Sequence, residues 1–196
     1  MALQRSSEHW REYEFHAHLT AIARKPFAWG EHDCCLFAAN AIRSFAALNT
    51  PEAAAACEAN TAAHIAADSI SHHTHAADRA AAHAKVAQGF TGVDIAADFR
   101  GLYTDRVSAF QAIRKITGGT TVADAAAWCA AKYGLDELEH PLCAQRGDLV
   151  VIRQAGAAPD QLIAGIVHLT GAHVVSVAES GAVRLPITSI VRAWRV

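Results

Sequence analysis

The sequence predicts an α+β fold in which helices come first and a small antiparallel sheet follows. Two observations carry that prediction. The first two thirds hold long segments with apolar residues at three- and four-residue spacing, the period of an amphipathic helix. The last third breaks into short β-branched runs, GDLVVIRQ, LIAGIVHLT, AHVVSVAES and AVRLPITSIVRAWRV, separated by Gly, Pro and Asp. Helical and strand patterns are segregated along the chain rather than alternating, which excludes a doubly wound parallel sheet.

The elements follow in order. Trp10, Tyr13, Phe15, Leu19 and Ile22 predict a helix over residues 5 to 25, ended by Pro26, which pushes Lys25 out of the α region. A short loop, FAWGEHD, leads into CCLFAANAIRSFAALN, apolar on nearly every side and therefore the buried central helix. Residues 49 to 90 differ in texture, being rich in Ala and His and poor in large apolar side chains. Alanine favours helix, so this stretch is expected to be a helical insertion that adds little core to a single domain spanning 1–196. SAFQAIRKITGG reads as a helix closed by Gly118, and TTVADAAAWCAAKYG as another, with Thr121 as N-cap and Gly134 past its end. Tight turns at TGA and ESGA join the later strands.

Bulk properties narrow the function. Net charge is −2 and hydrophobic residues make up 52% of the 196, which leaves no basic footprint for nucleic acid. The apolar runs fall short of the roughly 20 residues that span a bilayer. The N-terminal MALQRSSEHWREYEF has no apolar signal core, so the expected location is cytoplasmic. Five cysteines without regular spacing do not suggest a disulfide framework. His64, Asp68, His72 and His75 would share one helix face, a spacing that can ligate a transition metal. The preferred reading is a solvated polar face, so neither metal nor cofactor is expected.

The loop and the helix after it carry the candidate chemistry. Phe27, Trp29, Gly30, Asp33, Cys34 and Cys35, with the later Gly147, Asp148, Leu149 and Val150, resemble the NlpC-type papain-like cysteine peptidases. In that family an aromatic-x-Trp-Gly loop precedes an Asp-Cys-Ser that opens a helix. A closer resemblance is to an uncharacterised branch of phage and prophage tail-associated proteins, through WGxxDCCLFAA, TGxDxAADFRGxY, QRGDLV and LPxxxxxRAWRV. The resemblance implies a papain-like core, Cys34 as nucleophile, and a peptidoglycan stem peptide as substrate. It also implies other phage tail proteins as partners, incorporation in a phage or gene-transfer particle, and no cofactor. A helix N-terminus favours a thiolate and can bind an oxyanion.

The chain departs from the family at the base. The position that normally carries the histidine is Ile163, leaving His173, His168 and His32 as the histidines to weigh, with Ser176 or Glu179 to orient one. Trp29, Gly30, Asp33, Arg100 and Tyr103 are the expected binding residues, with Asp98 and Arg100 pairing to fix their loop. Cys34 and Cys35 read from texture alone as two buried thiols. Two alternatives therefore stand beside the peptidase: a catalytically degenerate structural component of a tail tip, and a cysteine acyltransferase or amidase.

Overall fold

A computed structural model describes residues 3–22, 25–70, 76–154, 158 and 161–196. The architecture is α+β. In chain order the elements are β1 (Leu3–Arg5), a π-helical turn (Arg11–Phe15), α1 (His16–Ile22), α2 (Cys34–Phe45), β2 (Ala46–Leu48), α3 (Pro51–Ile70) and α4 (Ala76–Gly89). They continue with α5 (Arg106–Thr117), α6 (Val122–Tyr133), β3 (Leu149–Arg153), β4 (Leu162–Val167), β5 (His173–Ala178), β6 (Gly181–Pro186) and β7 (Ile190–Trp194). The last five strands form one antiparallel sheet in the order β6-β5-β4-β3-β7, and β1 pairs with β2 in a separate two-stranded ribbon.

Alternation along β3 divides the sheet into two faces. Leu149 and Val151 face a core built with α2, α5 and α6, joined by Ala164, Ile166, Val177 and Trp194 from the neighbouring strands. Val150 and Ile152 point the other way, into a smaller cluster with Val167, Val174, Ile190 and Ala193. Because all four are buried, β3 reads in sequence as a continuous apolar run rather than an alternating one.

The first helix differs from expectation. The chain from residue 5 does not enter one long helix but completes the β1–β2 ribbon, makes a π-helical turn, and only then forms the short α1. Trp10 and Phe15, both from the turn region, close on Phe45 of α2 with ring centroids 4.5 and 5.1 Å away. That packing anchors the segment, while helical periodicity alone cannot see the partner. The central helix is also shorter than its apolar run, since Ala46–Leu48 leave it to pair with β1.

Thr121, Gly118 and Gly134 cap as expected, and Asp105 is a further cap not among those expected from the sequence. Asp105 and Thr121 each form a capping box at the start of α5 and α6, and Gly118 and Gly134 end those helices in the left-handed conformation. Among the described residues no helix is long and apolar enough to cross a membrane. Of the four residues with metal-ligand spacing, His72 and His75 lie outside the described residues. No group of three or more His, Cys, Asp or Glu that could hold a metal occurs among the described ones.

Candidate functional site

Asp33 organises the site. It is 1% exposed, and its carboxylate has four hydrogen-bond donors. Oδ1 accepts from the backbone N–H of Cys35 at 3.0 Å and of Leu36 at 3.1 Å, which caps α2. Oδ2 accepts from the N–H of Gly30 at 3.0 Å and the hydroxyl of Tyr103 at 2.8 Å. One buried side chain thus joins the aromatic loop, the start of the central helix and the loop ending at Tyr103. Gly30 is required there on two counts. Its φ is +74°, and a Cβ on it would sit 2.1 Å from the Tyr103 carbonyl oxygen.

Cys34 and Cys35 follow as the first two residues of α2, Cys34 buried and Cys35 half-buried. Both line a cavity of about 710 Å³. Its walls are the aromatic loop (Phe27, Trp29), Ile95 to Tyr103, the inner faces of α5 and α6, and the near ends of β4 and β5. The wall is mainly apolar, with Arg106, Gln154, Gln161 and Glu179 as the long polar side chains that reach it. Phe27 and Trp29 meet edge to face at 5.0 Å, a rigid aromatic corner beside the thiols.

Electrostatics oppose ionisation of Cys35 and Cys129. The hydrogen bond to Cys34 holds the Cys35 proton, and burial and the Asp33 charge add to it, so the Cys35 thiol is pushed well above its ordinary range. Cys129, on the α6 wall, is pushed up to about 12, first by burial. Burial and the neighbouring Cys35 and Asp33 likewise raise the Tyr103 phenol, which stays protonated and donates to Asp33. The helix N-terminus is therefore already occupied. Two of the N–H groups that could serve an oxyanion are bonded to a carboxylate, whose charge offsets the positive end of the helix dipole.

The histidines weighed as bases lie elsewhere. His32 is buried behind the loop, its backbone bridged to Ala28 and its ring edge-on to Phe37. Burial lowers its pKa, with Lys25 adding to the effect. His168 and His173 flank the β4–β5 turn, where His168 N–H donates to the His173 carbonyl at 2.8 Å. The cavity meets that hairpin at its other end, at Leu162 to Ala164 and Val177 to Ser180. Five residues of strand, roughly 16 Å, separate Ile163 from His168. Among the described residues no histidine lines the cavity, and no hydrogen bond links His32, His168 or His173 to Cys34.

The remaining expected residues divide. Trp29, Asp33 and Tyr103 line the cavity, and Gly30 supports it from behind. Arg100 turns away from it, bonding Asp94 through Nε and Nη2 and Asn40 Oδ1 at 2.6 Å. The expected Asp98–Arg100 pair is replaced by Arg100–Asp94, and Asp98 instead meets Lys132 of α6. Asp94 also accepts from the Ala96 N–H at 3.1 Å, which places its carboxylate within the turn that Arg100 closes. Ser176 is spent on the Ala164 carbonyl at 2.5 Å, within the sheet. Arg106 and Phe110 of α5 line the cavity without any motif in the sequence to single them out.

The model of DUF6950, a domain of unknown function, matches residues 5–79 and 61–196 of the chain. No curated protein and no solved structure matches it.

Proposed function

The chain belongs to the DUF6950 family, and from that premise we propose that it is a phage or prophage tail-associated domain of NlpC-type, papain-like cysteine peptidase descent. In this reading its cleft binds an extended peptide and no longer hydrolyses it. The resemblance of Phe27, Trp29, Gly30, Asp33 and Cys34 to the peptidase loop supports the descent. The observation that carries the loss of hydrolysis is the cavity itself: Cys34 lines it, and none of its described lining residues is a histidine. A cysteine hydrolase needs a base within hydrogen-bond reach of the thiol, and the thiol is nucleophilic only as thiolate. The adjacent carboxylate, Asp33, is fully engaged with four donors.

The cleft keeps what binding requires. It is concave, mainly apolar, and has a few long polar groups at its edge. A peptidoglycan stem peptide or a segment of another tail protein is the proposed occupant.

Incubation with stem peptides separates binding from hydrolysis. Quenching or shift of tryptophan fluorescence without new amino termini is the expected result. Release of new amino termini that disappears in Cys34→Ser would establish an active peptidase or amidase and overturn the proposal.

A further inference from the structure

The α3–α4 hairpin is docked by a buried polar chain of a kind that apolar packing does not require. His64 and His83, 2% and 7% exposed, face each other with Nδ1 atoms 3.0 Å apart. The other nitrogen of each ring is also committed. His64 Nε2 lies 3.2 Å from Glu14 Oε1, and His83 Nε2 lies 2.9 Å from Asp68 Oδ1. Glu14, on the π-helical turn, is itself 1% exposed and takes further hydrogen bonds from Ser7 and Asn60. The ring of Tyr13 stacks on both imidazoles, with centroids 4.3 and 3.9 Å away, and its hydroxyl is bonded to Asp68.

Counting protons makes this arrangement informative. The chain Glu14–His64–His83–Asp68 has three links, and each link needs one proton between its two heavy atoms. Two neutral imidazoles supply two. With both histidines neutral and donating to their carboxylates, the two Nδ1 atoms present lone pairs to each other at 3.0 Å. With both charged, two N–H groups collide there. A single extra proton satisfies all three links, whichever ring or carboxyl holds it.

We propose that this shared proton is a latch: the α3–α4 hairpin docks on the π-helical turn when the His64–His83 pair carries one proton beyond two neutral imidazoles, and is released when that proton is lost or a second is gained. The surrounding charges suit this count. Glu14 on the turn and Asp68 on α3 are the acidic groups that act on His64, while Glu12 on the turn acts on the stacked Tyr13. Burial lowers the His64 pKa, and the Asp68 partner of His83 reaches solvent at the other end of the chain. From α1, which also packs on α4, His18 is held neutral to about pH 4 by burial and joins the chain through no hydrogen bond among the described residues.

The sign follows from linkage. Gaining a second proton is harder docked than free, so docking weakens as pH falls below the ordinary histidine value of about 6.5. Losing the shared proton is also harder docked than free, so docking weakens again as pH rises above it. The hairpin is held most firmly near that value, and its opening equilibrium changes about tenfold per pH unit on either limb.

Hydrogen exchange of the full chain tests this from roughly pH 5 to pH 8, spanning the ordinary histidine titration. Rates are corrected for the intrinsic pH dependence of exchange and referred to β3 and β4. A minimum in α3 and α4 opening near the middle of that range, absent from the sheet, is the expected result. Histidine-selective NMR on the same protein should give one imidazole of the pair titrating below the ordinary value and its neighbour above it. His83→Gln, which cannot carry the charge, should flatten the minimum. A pH-independent hairpin, or two unsplit titrations at the ordinary value, would overturn the latch, and the NMR result stands even if His83→Gln does not fold. Tight binding of added Zn²⁺ by the wild-type pair at neutral pH, with both imidazoles losing their shared proton, would also overturn it in favour of a metal site.

Discussion

Asp33 carries more of this site than either cysteine. Its two oxygens face two different kinds of demand: Oδ1 meets backbone donors of α2, and Oδ2 meets Gly30 N–H and the Tyr103 hydroxyl. Replacing it separates the two. Asp33→Ala loses the N-cap, about 1 kcal/mol, and leaves a buried phenol without an acceptor, about 1–3 kcal/mol more. Asp33→Asn keeps an oxygen for the helix but turns an NH₂ toward the Gly30 N–H, which can only donate, while the Tyr103 hydroxyl can turn to accept, so it should recover the cap and lose the Gly30 bond. Urea unfolding is expected to rank them wild type, Asn, Ala. An Asn variant as stable as wild type would mean that the Gly30 bond contributes nothing. The sequence made Asp33 legible as an N-cap because capping is local. Its bond to Tyr103 joins residues 70 apart, and naming both as expected binding residues did not say that they bond to each other. His83 had no such hint. It sits in an Ala-rich helix 19 residues from His64, so the sequence offered His64 a partner on its own helix face and concealed the one it uses.

At the scale of elements, what could be read was whatever is decided within a turn or two of chain. Helices α5 and α6 were legible from their caps, and the strands from β-branched runs and glycine turns. The β1–β2 ribbon was not, because Leu3 pairs with Leu48 and neither short segment carries a strand signal of its own. Strand patterns alone could not say which end of the β4–β5 hairpin faces the cysteines; the resemblance put Ile163 there, and the cavity includes Ile163 while His168 and His173 lie at the other end. The cap of α6 gives a measurable case. Thr121 donates its hydroxyl to Asp124 Oδ2 at 2.7 Å and accepts from the Asp124 N–H at 3.2 Å. Those bonds, that hydroxyl first, hold the Asp124 carboxyl below its usual range. A depressed carboxyl stabilises the fold above its unfolded pKa, and that contribution is lost as pH falls through the folded value. Thr121→Ala should therefore cost about 1 kcal/mol at neutral pH. It should also shrink the gap from wild type as pH falls below the ordinary aspartate value, about 3.9, and through the lower folded value of Asp124. Chemical denaturation at neutral and acid pH measures both, and an equal gap at the two would separate the cap from the ionisation of Asp124.

For the whole molecule the question is how a sheet with two edges is closed, and the last five residues answer it. Strand β7 is an edge strand beside β3, yet Ala193 and Trp194 are buried, the latter on the helix-covered face. The residues beyond it bind back to the fold. Arg195 pairs with Asp148 at 2.8 Å and Val196 N–H donates to the same carboxylate at 3.2 Å. The guanidinium of Arg5 in β1 meets the Val196 carbonyl, which ties the ribbon to the sheet. Asp148 is fully buried, and burial already raises its pKa against these partners. Removing residues 192–196 would leave β3 as an open edge, delete a core tryptophan at about 3–5 kcal/mol, and strand a buried carboxylate at a further 3–5 kcal/mol. That sum is comparable to the whole stability of a domain, about 5–15 kcal/mol. The truncated chain should lose its cooperative thermal transition. Trp194→Phe, which keeps the strand and the Asp148 contacts, should melt cooperatively at a lower temperature. Were the truncation to melt as wild type does, the β3–β7 pairing would contribute little, and closure would have to rest on the α2 and α6 face of the sheet alone.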